Sequence, residues 1–186
     1  AATQYGGDKG IFAYGNTGSK VSTKNLVANT GVVATDVTGV GTARHAMAAC
    51  SYGGDKGIFG YGHSCSIVSV SNLVNSSGTI ATDVTGVGTA RFYLAACEYG
   101  NDKAIFAFGT TASADTGISN LVSSSGVVAT DTSAVGTARN TPGAASYGAD
   151  LAMFAFGGGP IMNTKNLVST HNINVYAVSQ SWTEGT

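Results

Sequence analysis

The chain has 186 residues, 43% of them hydrophobic and 10% charged, with 27 Gly and only 2 Pro. Gly and β-branched residues are poor helix formers, so the mixture disfavours long helices and favours short strands joined by turns, and its recurring apolar content argues against disorder. Three Arg, six Lys and a net charge of −1 leave no electrostatic footprint for nucleic acid, and no apolar run approaches the roughly 18 residues that span a bilayer, so neither nucleic-acid binding nor membrane insertion is expected.

One phrase is written four times. Tyr5-Gly-Gly-Asp-Lys-Gly-Ile-Phe12 recurs from Tyr52, from Tyr99 and, in a looser form, from Tyr147, at spacings of 47, 47 and 48 residues. A fixed period in the range of roughly 20–50 residues marks solenoids, propellers and arrays, so 1–186 reads as a single repeat domain. The second copy shows the unit in chain order. Residues 44–52 predict a strand, 53–56 a tight turn, and 57–62 a second strand ending in Gly. After a variable loop, 70–74 predicts a third strand, 75–78 a turn, 79–84 a fourth strand, and 85–90 a linker to Arg91. Four short strands per unit are expected of a propeller blade, giving an all-β propeller of four four-stranded blades. A β-prism, a β-solenoid or part of a larger ring fits the same period. Laid end to start, the termini nearly complete one copy, as in a ring of four units cut once.

These blades carry a resemblance. An Arg followed by small apolar residues, a Gly-rich turn, Ile-Phe-x-Tyr-Gly and a later Asn-Leu-Val strand resemble a degenerate kelch-type blade. The kelch Gly-Gly doublet is replaced by Tyr14-Gly15, Tyr61-Gly62, Phe108-Gly109 and Phe156-Gly157, and the Tyr and Trp that usually close a kelch blade are absent. The Tyr-Gly-Gly-Asp-Lys, Asn-Leu-Val and Gly-Thr-Ala-Arg phrases are similar to repeat proteins of marine bacteriophages and environmental bacteria, some of them tail or fibre components. That resemblance implies a structural or adhesion role, outside the cell or on a virion, with protein partners or self-association.

Of the 19 formal charges, 13 are locked to the period. Asp8, Asp55, Asp102 and Asp150 occupy one turn position, with Lys9, Lys56 and Lys103 beside the first three. Asp36, Asp83 and Asp131 share a second position, and Arg44, Arg91 and Arg139 a third. A catalytic group is needed once, in an asymmetric constellation, whereas a group copied into every unit does one structural task in each. The expected tasks are an Asp capping its own turn and an Asp–Arg pair bridging strand ends. Asn25, Asn72, Asn120 and Asn166 are expected to satisfy backbone groups between strands, with the Leu-Val that follows each of them in the core. Cys50 and Cys97 lie one period apart and read as small buried side chains, while Cys65 falls in a variable loop.

No catalytic signature is present, so no enzyme, cofactor or metal site is expected. Gly39-Val-Gly-Thr-Ala-Arg44 lacks the third glycine and the helix of a phosphate loop, and the three His occupy unrelated places in their repeats. Asn75-Ser-Ser77 matches a glycosylation sequon, meaningful only in a eukaryotic secretory setting. Specificity is expected where the copies disagree, in the loops after Tyr/Phe-Gly and just after the repeat Arg. His63, Phe92, Tyr93, Asn140 and Trp182 are the candidate ligand-binding residues, and the aromatic ones suit stacking on a surface glycan. A carbohydrate-binding module is the second reading.

Overall fold

The Ile-Phe phrase forms the central strand of each repeat. A computed structural model describes residues 1–134, 136–148, 150–159, 162–170 and, as a strand, 176–178. Four antiparallel sheets follow in chain order. The first is β1 (Ala2–Tyr5), β2 (Lys9–Asn16) and β3 (Lys20–Val27). The second is β4 (Ala48–Tyr52), β5 (Lys56–Gly60) and β6 (Ser71–Val74), and the third β7 (Ala95–Tyr99), β8 (Lys103–Ala107) and β9 (Ser119–Val122). The last adds a fourth strand, in the order β10 (Gly143–Tyr147), β11 (Leu151–Ala155), β12 (Lys165–Val168) and β13 (Tyr176–Val178). The all-β reading holds. The first hairpins of the first two repeats turn on glycine pairs: Gly53 and Gly54 take φ of 61° and 76° between the paired Tyr52 and Lys56, and in the third repeat Asn101 takes the second place at 64°.

Burial follows position in the stack. β4 and β7 alternate buried and half-buried residues, whereas β5 and β8 are buried on both faces after their opening Lys. A central strand apolar on both sides is covered by a sheet on each side. Consecutive sheets meet through their first strands, β1 on β4, β4 on β7 and β7 on β10. Backbone bonds lace the hairpin turns together, Gly6 N–H to Asp55 O at 2.7 Å, Gly53 to Asp102 at 2.7 Å and Gly100 to Asp150 at 3.2 Å.

The fourth strand predicted for the first three repeats shortens to two isolated bridges. In the second repeat Ser71 bridges Val84 and Val74 bridges Ile80, so four steps on one side oppose three on the other. That is a one-residue bulge. The Asn72 amide fills it, donating to Ala81 O at 3.0 Å and to Asp83 Oδ1 at 2.8 Å. Asn25 and Asn120 do the same with Ala34/Asp36 and Ala129/Asp131. A side-chain amide thus takes over from the ladder, which is the backbone-satisfying role expected of this Asn.

The repeat Arg is the joint between sheets. Arg44, Arg91 and Arg139 are fully buried. Arg44 lies 4.4 Å from the ring centre of Tyr14 in the first sheet and donates to Tyr61 O (2.9 Å) and Asn72 Oδ1 (2.7 Å) in the second. Arg91 stacks on Tyr61 at 4.2 Å and donates to Phe108 O, and Arg139 stacks on Phe108 at 3.7 Å and donates to Asn166 Oδ1. Beside each guanidinium, Phe59, Phe106 and Phe154 pack edge-on or tilted against the same rings. Asp83 accepts from Thr42 N–H and Oγ1 and from Asn72, and approaches Arg44 only to 3.9 Å. Burial opposes its ionisation, but the bonds from Thr42 and Asn72, with the Arg44 charge, hold its carboxyl below the ordinary value. Asp131 is held down in the same way by Thr89, Asn120 and Arg91.

Two structural expectations are corrected. Asp8, Asp55 and Asp102 bond to side chains and do not cap their own turns. Asp55 and Asp102 take the neighbouring Lys ammonium at 2.8 and 2.9 Å, and Asp8 takes the Asn29 amide. The expected Arg–Asp pair forms at Arg44–Asp83 only as a long 3.9 Å contact, and this Arg, buried between sheets, reaches the Asp chiefly through Asn72 and Thr42.

The joint gives two expected outcomes. Arg91→Ala leaves buried acceptors unpaired and should lower the unfolding free energy by about 3 kcal/mol in urea denaturation, whereas Lys103→Ala, at an exposed pair, should leave the urea midpoint unchanged. Because Asp83 and Asp131 are depressed in the folded state, their stabilisation is complete above the unfolded-state value of 3.8 and is lost as pH falls through the lower folded values. Stability measured against pH should therefore fall on acidification below that value, with a shallower fall in the Asp83→Asn/Asp131→Asn double variant.

Candidate functional site

Just past each joint, the chain presents the residues in which the copies differ. The residue after the Arg bridges the residue after the aromatic-Gly pair of its own repeat: His45 with His63, Phe92 with Thr110, Asn140 with Gly158. The next residues, Ala46, Tyr93 and Thr141, all sit at positive φ, of 53°, 55° and 47°. Tyr93 N–H donates to Ala46 O at 2.9 Å and Thr141 N–H to Tyr93 O at 2.7 Å. These bonds run from sheet to sheet, so one edge of the stack carries a single backbone staircase with variable side chains on its steps.

Three of the five predicted residues meet on that edge. The rings of His45 and His63 lie 5.5 Å apart, His63 and Phe92 5.8 Å, and Phe92 and Tyr93 4.6 Å. Tyr93 is 44% exposed, and Phe92 is half-buried beneath it. Asn140 stands on the next step, where its amide holds both carboxylate oxygens of Asp115 at 3.0 Å. Thr110 Oγ1 donates to the same carboxylate at 2.7 Å. Asp115 was not singled out by its sequence position; its lack of a counterpart at the same place in the other loops was the available signal. Trp182 lies outside the described residues.

The arrangement can stack and hydrogen-bond. The Asp115 carboxylate is engaged by Thr110 and Asn140, so it has the environment of a positioning group and not of a free base. His45 Nδ1 lies 3.1 Å from the His63 carbonyl, and no nucleophile stands in hydrogen-bond reach of either ring among the described residues. Cys50 and Cys97 are remote from thiolate chemistry: burial pushes Cys97 up to about 12 and Cys50 well above its usual value. Both are buried and unbridged, as their repeat position suggested, and Cys65 is exposed. Among the described residues, no three of His, Cys, Asp and Glu gather as a metal-ligating cluster.

Compared with known proteins, the chain matches no family model and no curated protein.

Proposed function

We propose that the chain is a non-enzymatic structural or adhesion module, in which the four sheets are blades of a kelch-like propeller or a sector of a larger ring, attached to a virion or cell surface. The observation that carries the reading is the division of labour among its polar side chains. The repeated Arg, Asn and Asp hold sheets together, while the side chains that differ between copies gather on one edge of a rigid stack. A scaffold that spends its charges on its own joints and varies one edge is built to present contacts.

A second reading has its own support. The exposed Tyr93 over Phe92, next to the Asp115–Asn140 pair, places an aromatic face beside hydrogen-bonding groups, the combination that receives a sugar ring. Adsorption of the labelled chain to host cells or virion particles tests the first reading, and a glycan array tests the second. Surface binding without reproducible glycan hits is expected. Array hits abolished by Tyr93→Ala would promote the carbohydrate reading, and the absence of any surface, glycan or protein binding would reject both.

A further inference from the structure

The two ends of the stack expose the two halves of one joint. In the internal joints the Phe of each central strand is covered by the preceding sheet: Phe59 and Phe106 are 0% exposed and Phe154 1%, but the first-sheet counterpart Phe12 is 52% exposed. Val33 is 56% exposed where its second-repeat counterpart Ile80, packed with Tyr5 of the sheet before, is 3%. Asp36 holds Asn25 as Asp83 holds Asn72, yet among the described residues it receives no bond like those Asp83 takes from Thr42. The leading face of the first sheet is thus the receiving half of a joint.

The trailing face of the fourth sheet is the donating half. Tyr5, Tyr52 and Tyr99 are at most 5% exposed; Tyr5 lies against Gly78, and Tyr52 against Gly126, in the turn that leads into the bulged segment of the following repeat. Tyr147 is 41% exposed. The ring that carries the next guanidinium is buried at Tyr14, Tyr61 and Phe108, whereas Phe156 is 54% exposed.

We infer that these faces bind one another head to tail, the fourth sheet of one copy docking on the first sheet of a second copy of this chain. Tyr147 then seats on Gly31 and Val33 as Tyr5 seats on Gly78 and Ile80, and Phe12 meets the trailing face as Phe59 meets Tyr14. What identifies the occupant is continuity: the same contacts already join sheets one to two, two to three and three to four. The faces differ, so the contact is heterologous and propagates into a ring if its rotation closes and into a fibre if it does not. The joint rests on the scaffold reading and deepens it by naming the partner.

Sedimentation of the full chain over a wide concentration range tests the joint, with Phe12→Asp blocking the leading face and Tyr147→Asp the trailing face. Both side chains are exposed in the single copy, so thermal unfolding of dilute protein should be unchanged. Wild type should assemble beyond a monomer as concentration rises, and each variant alone should associate at least about thirtyfold more weakly. A mixture of the two variants retains one good face of each kind and should stop at a one-to-one dimer. Wild type that stays monomeric, association that survives both substitutions, or a mixture that gives no dimer would overturn the joint. A chain that assembles this way but adsorbs to no surface keeps the joint and rejects adhesion, and a monomer that adsorbs does the reverse.

Discussion

Everything in this structure depends on a guanidinium held in the dark between two sheets. A buried charge is costly unless every donor is used and something favourable covers its faces. At Arg44 the planar fork meets backbone and Asn oxygens, and an aromatic ring of the preceding sheet lies beneath it. The later joints are less complete, with Asn120 Oδ1 and Arg139 Nε unpaired among the described residues. Lys could supply the charge but neither the fork nor the flat stack, which explains why the joint uses Arg each time. Burial pulls all three guanidinium values down from the ordinary one, yet an Arg remains charged in a protein, so the joint stays intact across the ordinary pH range.

The neighbouring backbone is shaped to serve the Arg. The aromatic residue under it takes positive φ in every repeat, from 61° at Tyr14 to 63° at Tyr61 and Phe108, a conformation that costs a side-chain-bearing residue about 1–2 kcal/mol. The ring is thereby turned under the cation, and the following Gly N–H donates to the Arg carbonyl, as Gly15 does to Arg44 at 3.0 Å. On the other side the Gly of Gly-Thr-Ala-Arg presses on the Asn–Asp pair. A Cβ at Gly88 would lie 2.3 Å from Asp131 Oδ1 and 2.6 Å from Asn120 Nδ2. Strain and close approach are repeated because the joint is repeated. Each sheet relies on its neighbours for the cover of its central strand, which makes stability a sum over joints and leaves the terminal faces unsatisfied.

Much of this was legible from residue order. The period gave the number of sheets, and the Gly-rich turn and Ile-Phe alternation placed the first two strands to within a few residues. The fourth strand misled because Thr79-Ile-Ala-Thr-Asp-Val84 alternates like a strand, while the ladder there is broken by an Asn side chain from across the pair. The Arg reads from the sequence as structural, paired with Asp at strand ends, without its place between sheets. Its real environment needs contacts between one repeat's Arg and the preceding repeat's Tyr, 30 residues apart, that no local pattern encodes. Closure of the first sheet on the fourth, expected from the termini, is not seen among the described residues, where the facing Phe12 and Phe156 are exposed. His63 and Phe92 were singled out separately as points of difference, and only stacking of consecutive sheets makes them neighbours.

The fold therefore separates what holds it from what it presents, and that separation rests on the Arg joints being closed. Hydrogen exchange of the arginine Nε–H groups, followed by nitrogen-edited NMR, tests this most directly. Arg44 and Arg91 each donate Nε–H to a backbone carbonyl at 2.9 Å in a site closed to water. Their Nε–H signals should persist, with exchange slowed by orders of magnitude relative to free arginine. Exchange of both signals at the rate of a solvent-exposed side chain, in protein that remains folded, would contradict the joint and with it the architecture described here.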